Sequence, residues 1–133
     1  MTIIESGLET INKSQQEVYA FLADCNNHQQ LMPEQVVNWQ SDTNSCKFTI
    51  KGTADLSLRI KDVQPNSSIV LEPYEKVPFP FTLTWNIEAT GDNAIVGAVL
   101  AADMNMFIKM VAAKPLENFL KYQIVKLKTM MNG

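Results

Sequence analysis

The spacing of apolar residues changes twice along the chain, and each change predicts a different kind of element. Residues 2–11 mix β-branched and polar types, which favours a first strand. Residues 14–17, Ser-Gln-Gln-Glu, form a capping box that begins a helix. A short second helix is predicted over residues 28–32, because Pro33 disfavours a helical residue before it. The first part of the chain therefore predicts one strand followed by two helices.

The middle of the chain, from Val36 to Val99, has the period-two pattern of strands with one apolar face and one polar face. Turn residues divide this stretch into six segments, which predicts an antiparallel meander. The inward-facing positions of these strands include Trp39, Phe48, Ile50, Leu56, Leu58, Phe81, Leu83 and Trp85.

The helical period returns at the end of the chain and predicts one long helix. Pro115 is predicted to be its first residue, where a missing amide donor costs nothing. Residues 104–113 would then form a separate short helix or a kinked lead-in. The apolar side of the long helix carries Leu116, Phe119, Leu120, Gln123, Ile124, Leu127 and Met131.

These elements predict an α+β fold in the order β-α-α-β6-α, over a single domain of residues 1–133. The apolar face of a seven-stranded antiparallel sheet must be covered, and only one long helix is available to do so. A curved sheet wrapped around one helix leaves a concave apolar space, the usual setting of a small-molecule site. Two alternatives stay open: the space holds a ligand, or Phe and Met side chains fill it.

Residues 11–24, INKSQQEVYAFLAD, carry an apolar residue, a helix-capping step, and then Val and Phe-Leu before an acidic residue. This pattern, with the order of elements, resembles the START-like or Bet v 1-like (SRPBCC) helix-grip superfamily, although the proline that its members often carry near Lys13 is missing. The resemblance covers essentially the whole chain and implies a pocket for an apolar ligand. Bacterial members include polyketide cyclase-like and coenzyme Q-binding proteins, and the family has no universal catalytic residue to transfer.

The leading hypothesis is therefore a protein that binds a small hydrophobic ligand, such as a lipid, a quinone or a polyketide-like molecule. Trp39 and Trp85 each need a partner for the indole N–H if buried, so either could contact the ligand. The predicted lining of the cavity is Phe21, Trp39, Phe48, Ile50, Leu56, Leu58, Phe81, Leu83, Trp85, Met106, Met110, Phe119 and Leu120.

Two other functions remain as alternatives. A cyclase- or hydratase-like enzyme would need a polar pair inside the cavity, such as Glu9 or Asp103 with Tyr19 or His28. A protein-interaction module of the chaperone-activator type would instead show a large exposed apolar patch. No catalytic constellation is visible, so the sequence leaves the enzyme question undecided.

Several polar residues have simpler predicted roles. His28, the single histidine, lies in a polar stretch and is predicted to be at the surface. Asp103 is predicted to cap the helix after the last strand, and Arg59 points outward on its strand. Strict alternation from Ile11 would turn Glu9 inward, so either a bulge shifts the register or a carboxylate faces the cavity.

Composition narrows the classes of partner. A net charge of −3 disfavours a general nucleic-acid binder. No run reaches the roughly 18–20 apolar residues that span a bilayer, and no secretory signal is present. Cys25 and Cys46 are predicted to be free buried thiols of a cytoplasmic protein. No metal or other cofactor is predicted, and a protein partner stays open.

The segment that joins the last strand to the long helix, MNMFIKM, is unusually rich in methionine. Met104, Met106, Met110 and Phe107 are predicted to lie at the mouth of the cavity. Flexible, polarizable Met side chains suit adaptable surfaces. They would act either as a lid that gates the ligand or as a plug that fills a corner of the core.

Overall fold

A computed structural model of the chain describes residues 1–132. Its elements follow the predicted order, with a curled seven-stranded antiparallel sheet wrapped around a long C-terminal helix. The predicted α+β fold is confirmed. The elements are β1 (Thr2–Ile11), α1 (Gln15–Leu22), a 3₁₀ helix (Cys25–Leu31), β2 (Val36–Ser41), β3 (Ser45–Ile50), β4 (Ala54–Gln64), β5 (Ser68–Glu72), β6 (Phe81–Thr90), β7 (Asn93–Ala102) and α2 (Met106–Asn132).

The strands lie in the order β1-β7-β6-β5-β4-β3-β2, with every neighbouring pair antiparallel. All pairs except one follow directly along the chain, as short turns dictate. The exception is β1, which pairs with β7 from Thr2 opposite Ala102 to Ile11 opposite Ala94. The first strand therefore lies beside the last strand, and β1 and β2 form the two edges.

The apolar stripe of α2 packs on the inner face of this sheet, close to β1. Lys128 Nζ lies 3.5 Å from Glu9 Oε1, and the Asn12 amide donates to Asn132 Oδ1 at 2.6 Å. On β6, the alternating residues are buried as predicted. Each large side chain fully buried in this way contributes about 1.5–3 kcal/mol. The buried residues of α2 are Ala112, Leu116, Phe119, Leu120, Gln123, Ile124 and Leu127.

The start of α2 differs from the prediction. The helix runs without a break through Pro115, so Pro115 is not its first residue. Asn105, rather than Asp103, caps it, since Asn105 Oδ1 accepts from the Ile108 amide at 2.9 Å. Ala112 is buried one turn before Leu116, and this packing extends the helix past a residue that local propensity would place at a helix start.

A bulge in β1 accounts for its acidic residues. The register shifts between Glu5 and Leu8, where Gly7 has φ +80°, a conformation that glycine adopts at little cost. Glu5 consequently faces outward. Glu9, opposite Val96, stays on the helix side, but its carboxylate reaches Lys128 at the rim. Both alternatives therefore hold in part: the bulge exists, and one carboxylate lies at the edge of the interface.

Candidate functional site

An apolar void lies between the sheet and α2. Its volume is about 20 Å³, roughly one water-sized probe. Of the two alternatives for this space, the structure shows the filled one. Nine side chains, all apolar, line the void: Leu56, Leu58, Phe79, Phe81, Leu83, Leu100, Leu116, Phe119 and Leu120.

Aromatic rings occupy much of the space between the sheet and α2. Phe119 of α2 meets Phe48 of β3 with ring centroids 5.8 Å apart. Trp39 of β2 stacks on Phe48, with ring centroids 5.3 Å apart. These distances lie within the favourable range for aromatic pairs. A chain of three rings therefore connects the edge of the sheet to the helix.

One wall of the void comes from an irregular segment. Phe79 lies in residues 73–80, which join β5 to β6 without helix or strand. The segment is held at its start because the amides of Tyr74 and Glu75 donate to Ser57 Oγ at 3.3 and 3.0 Å. Connections of this kind move more readily than the strands they join. Displacement of Phe79 would enlarge the void without breaking the sheet.

The predicted lining falls into three groups. Leu56, Leu58, Phe81, Leu83, Phe119 and Leu120 border the void. Phe48, Ile50 and Trp85 are buried elsewhere in the interface, and Phe21 and Trp39 are half-buried. Met106 and Met110 are 80% and 78% exposed.

The exposure of Met106 and Met110 corrects their predicted place in the wall. In a helix that starts at Met106, both lie away from the buried stripe, so neither can plug the core. The prediction also missed Phe79, Leu100 and Leu116. The alternation around Phe79 and the stripe that includes Leu116 were the signals that could have identified two of them.

A second, wider space lies outside the void. This groove has a volume of about 400 Å³, opens to solvent and has mixed polar and apolar walls. Phe119 lines both the groove and the void, so the two spaces share this residue. The groove is lined by Pro33, Gln35, Ile50, Lys51, Thr53, Pro115, Asn118, Phe119 and Tyr122.

No protein-family model and no curated relative matches the chain in sequence. Solved structures match it in three dimensions over nearly its whole length. XoxI of Bacillus cereus has a TM-score of 0.77 at 10% identity, over 98% of this chain and 96% of that one. A START superfamily protein of Mycobacterium smegmatis has a TM-score of 0.69 at 11% identity, over 96% and 98%. The chain has the START-like helix-grip fold.

A third neighbour with this START-like fold is the Aha1 dimer of Colwellia psychrerythraea. Its TM-score is 0.73 at 13% identity, over 99% of this chain and 97% of that one. In this START-like fold α2 packs beside β1 and β7, while α1 and the 3₁₀ helix contact other strands of the sheet. At these identities the likeness concerns the fold alone.

Two polar atoms are unpartnered inside the START-like core. Trp85 is 0% exposed and Gln123 is 2% exposed. Neither Trp85 Nε1 nor Gln123 Oε1 has a hydrogen-bond partner within residues 1–132. The other tryptophan differs, since Trp39 Nε1 donates to Ser41 Oγ at 3.0 Å near the surface.

His28 is buried, so its predicted surface position is wrong. It is 4% exposed, and its Nε2–H donates to the Leu22 carbonyl at 2.8 Å. Its ring meets Trp85 edge-on, with centroids 6.0 Å apart. Burial lowers the pKa of His28, which favours the neutral ring. The 3₁₀ helix has three residues per turn, and this period turns Cys25, His28 and Leu31 inward together.

The polar residues of the enzyme hypothesis do not meet in the void. Glu9 lies at the rim beside Lys128, and Asp103 is exposed beyond the end of β7. Tyr19 is half-buried on α1, and His28 contacts Leu22 and Trp85 instead. Arg59 is exposed as predicted and pairs with Glu72 at 2.8 Å. The chemistry of the void itself is purely apolar.

The two cysteines are free and buried, as predicted. A side-chain hydrogen bond between them lowers the pKa of Cys25 and, with burial, raises the pKa of Cys46. Within residues 1–132, no group of three or more His, Cys, Asp or Glu side chains could hold a metal ion. Over the same residues, no helix is long and apolar enough to cross a membrane.

Proposed function

We propose that this domain binds a small hydrophobic ligand, such as a lipid, a quinone or a polyketide-like molecule, between the sheet and α2. The observation that carries the proposal is the wholly apolar void whose lining residue Phe119 also lines the solvent groove. Rotation of the Phe119 ring would join the two spaces. The cytoplasm is the proposed compartment, because two free buried thiols suit reducing conditions.

The energetics of binding follow from the same geometry. A ligand that buries about 200 Å² of apolar surface gains roughly 5 kcal/mol at about 25 cal/mol per Å². Displacing Phe119 or Phe79 costs part of this gain, as does the lost freedom of the ligand. We therefore expect weak binding to the closed protein and tighter binding when the blocking ring is removed.

A neutral fluorescent probe, N-phenyl-1-naphthylamine, tests the proposal directly. Phe119→Ala should bind it at least about tenfold more tightly than the unmodified protein, because apolar cavities of about 150 Å³ accept aromatic molecules. Phe107→Ala removes an exposed ring from the same helix and should leave the affinity unchanged. If Phe119→Ala does not fold, Phe119→Leu makes a smaller opening.

Two results would contradict the proposal. One is the absence of probe binding to every variant, together with native mass spectrometry that finds no ligand retained after purification. The other is an equal gain in Phe107→Ala and Phe119→Ala, which would place the probe on the surface.

A second candidate function is self-association through the N-terminal half of α2. Met106, Phe107, Met110 and Val111 are all exposed there and form an apolar face. Such a face is the expected sign of an interaction surface. We propose a second copy of this chain as the occupant, in view of the dimeric Colwellia neighbour.

Sedimentation equilibrium tests this candidate. The protein should dimerise, and Phe107→Glu should dissociate the dimer, because the new carboxylate would have to be desolvated at the interface. Lys121→Glu, an exposed change further along α2, serves as the control. A monomer at millimolar concentration would exclude this function.

A further inference from the structure

Trp85 and Gln123 place two unsatisfied polar atoms of opposite kind in the apolar interface. Trp85 Nε1 is a hydrogen-bond donor, and Gln123 Oε1 is an acceptor. Both are buried, and neither has a partner among the residues that the structure describes. Groups of this type normally have partners in folded proteins, so each requires an explanation.

Two neighbours of α2 at the edge of the sheet, taken with the strand register, indicate that Trp85 and Gln123 lie at a similar level. The rim contact of Lys128 with Glu9 lies at the level of Ile87, because Glu9 and Ile87 are both opposite Val96. Glu117 of α2 lies beside residues 1–4, which are level with Phe81 and Leu83. Gln123 lies between these two points on α2, as Trp85 does on β6.

The void ends next to this level. Leu83 precedes Trp85 on the inner face of β6, and Leu120 precedes Gln123 by about one turn on the buried face of α2. Both leucines line the void. A ligand that fills the void would therefore direct one end toward Trp85 and Gln123.

The two atoms select a particular chemical group. A hydroxyl accepts one hydrogen bond and donates another, so a single O–H can satisfy both atoms. Because Gln123 Oε1, rather than its amide nitrogen, is the buried atom without a partner, a carbonyl oxygen would satisfy Trp85 alone. A charged group would be buried beside the apolar void without a counter-ion, which is costly. His28 contacts the Trp85 ring. Burial lowers the pKa of His28 and favours its neutral form, so it does not supply a counter-ion.

We propose that the ligand is a neutral apolar molecule with one hydroxyl group, whose oxygen accepts from Trp85 and whose proton is donated to Gln123. This inference rests on the proposed function, since the ligand body occupies the enlarged void. A trapped water offers the same O–H chemistry, so the experiment must distinguish the two sources.

The matched probes p-cresol and p-xylene differ only in a hydroxyl and a methyl group. In ¹H–¹⁵N spectra the chain should show two indole signals, from Trp39 and Trp85. We expect p-cresol to bind about tenfold more tightly than p-xylene, the effect of one net hydrogen bond. It should shift the Trp85 indole signal more than the Trp39 signal, because the Trp39 N–H is already bonded to Ser41.

Substitution of the acceptor provides the decisive comparison. Gln123→Met keeps the length of the side chain and removes the oxygen, so p-cresol should lose its advantage over p-xylene. Gln16→Met makes the same change at an exposed position of α1 and should preserve the advantage. Trp85→Phe should also abolish the preference, and it provides a second variant if Gln123→Met fails to fold.

The outcomes separate this inference from the function on which it rests. If neither p-cresol nor p-xylene binds, the hydroxyl assignment is overturned; the proposed function is lost as well only when N-phenyl-1-naphthylamine also fails to bind every variant. Equal binding of both probes, or a p-cresol preference that survives Gln123→Met, overturns only the hydroxyl assignment. A long-lived water whose nuclear Overhauser contact to the Trp85 indole persists at saturating p-cresol assigns the O–H to water and also overturns it.

Discussion

The two halves of α2, before and after Pro115, both carry apolar side chains but differ in how many of them are buried. The C-terminal half turns Leu116, Leu120 and Ile124 onto the sheet, whereas the N-terminal half turns Met106 and Met110 toward solvent. In the N-terminal half, the small side chain of Ala112 is buried. The difference shows that the position of the sheet, rather than the hydrophobicity of a residue, decides which side chains form the core.

The largest effect is expected from Leu120→Ala in the buried half. Its side chain fills the interface beside the void, so its removal should lower the free energy of unfolding by about 2–5 kcal/mol. Urea unfolding followed by circular dichroism would measure this. A loss below about 1 kcal/mol would mean that the buried half is as loosely packed as the exposed half.

Pro115→Ala tests the junction between the halves. A proline inside a helix costs about 3 kcal/mol, and a more flexible unfolded chain returns up to about 1 kcal/mol of that. Pro115→Ala should therefore raise the free energy of unfolding by about 2–3 kcal/mol. Lys114→Ala, at the neighbouring exposed position, is the control. A destabilised Pro115→Ala would show that the junction needs the proline.

Helix α2 also contacts the 3₁₀ helix that carries His28. Since burial lowers the pKa of His28 in the folded protein, the unfolded chain binds the proton first as pH falls. Stability should be complete above about pH 6.5 and should decline below it by up to about 1.4 kcal/mol per pH unit.

Urea unfolding between pH 7 and pH 5 measures this dependence, and His28→Gln should flatten it. The window isolates the histidine, because the lowered pKa values of Asp42 and Glu117 affect stability only at more acidic pH. An unchanged slope in His28→Gln would assign the dependence to other groups.

Met110→Ala should have the smallest effect. Its side chain is exposed, so the free energy of unfolding should change by less than about 0.5 kcal/mol. The same urea titration, run beside Leu120→Ala, would sharpen the contrast between the halves. A loss of 2 kcal/mol or more would restore Met110 as a plug of the core.

The sequence predicted the architecture well because the signals for its elements are local. Alternation on β6, the capping box at Ser14 and the helical stripe around Leu120 each depend on neighbouring residues. His28 was misjudged because a polar stretch conceals the three-residue period of a 3₁₀ helix. The start of α2 was misplaced because tertiary packing at Ala112 outweighed the preference of Pro115.

The candidate site was less predictable for a different reason. The volume of the void is set by how rings such as Phe79 and Phe119, from different elements, fit together. A change of one rotamer alters that volume, and no local pattern encodes it. The inward position of Trp85 was visible in the sequence, but the lack of a partner for its N–H was not.

The pairing of β1 with β7 has a consequence for synthesis on the ribosome. Thr2 to Ile11 are translated well before their partners, Ala94 to Ala102. The edge of β1 that pairs with β7 therefore stays unpaired until β7 has been translated. Such delayed, non-local pairing slows folding and exposes the nascent chain to misassembly. Pairing of β1 with β7 is thus expected to be among the final folding steps.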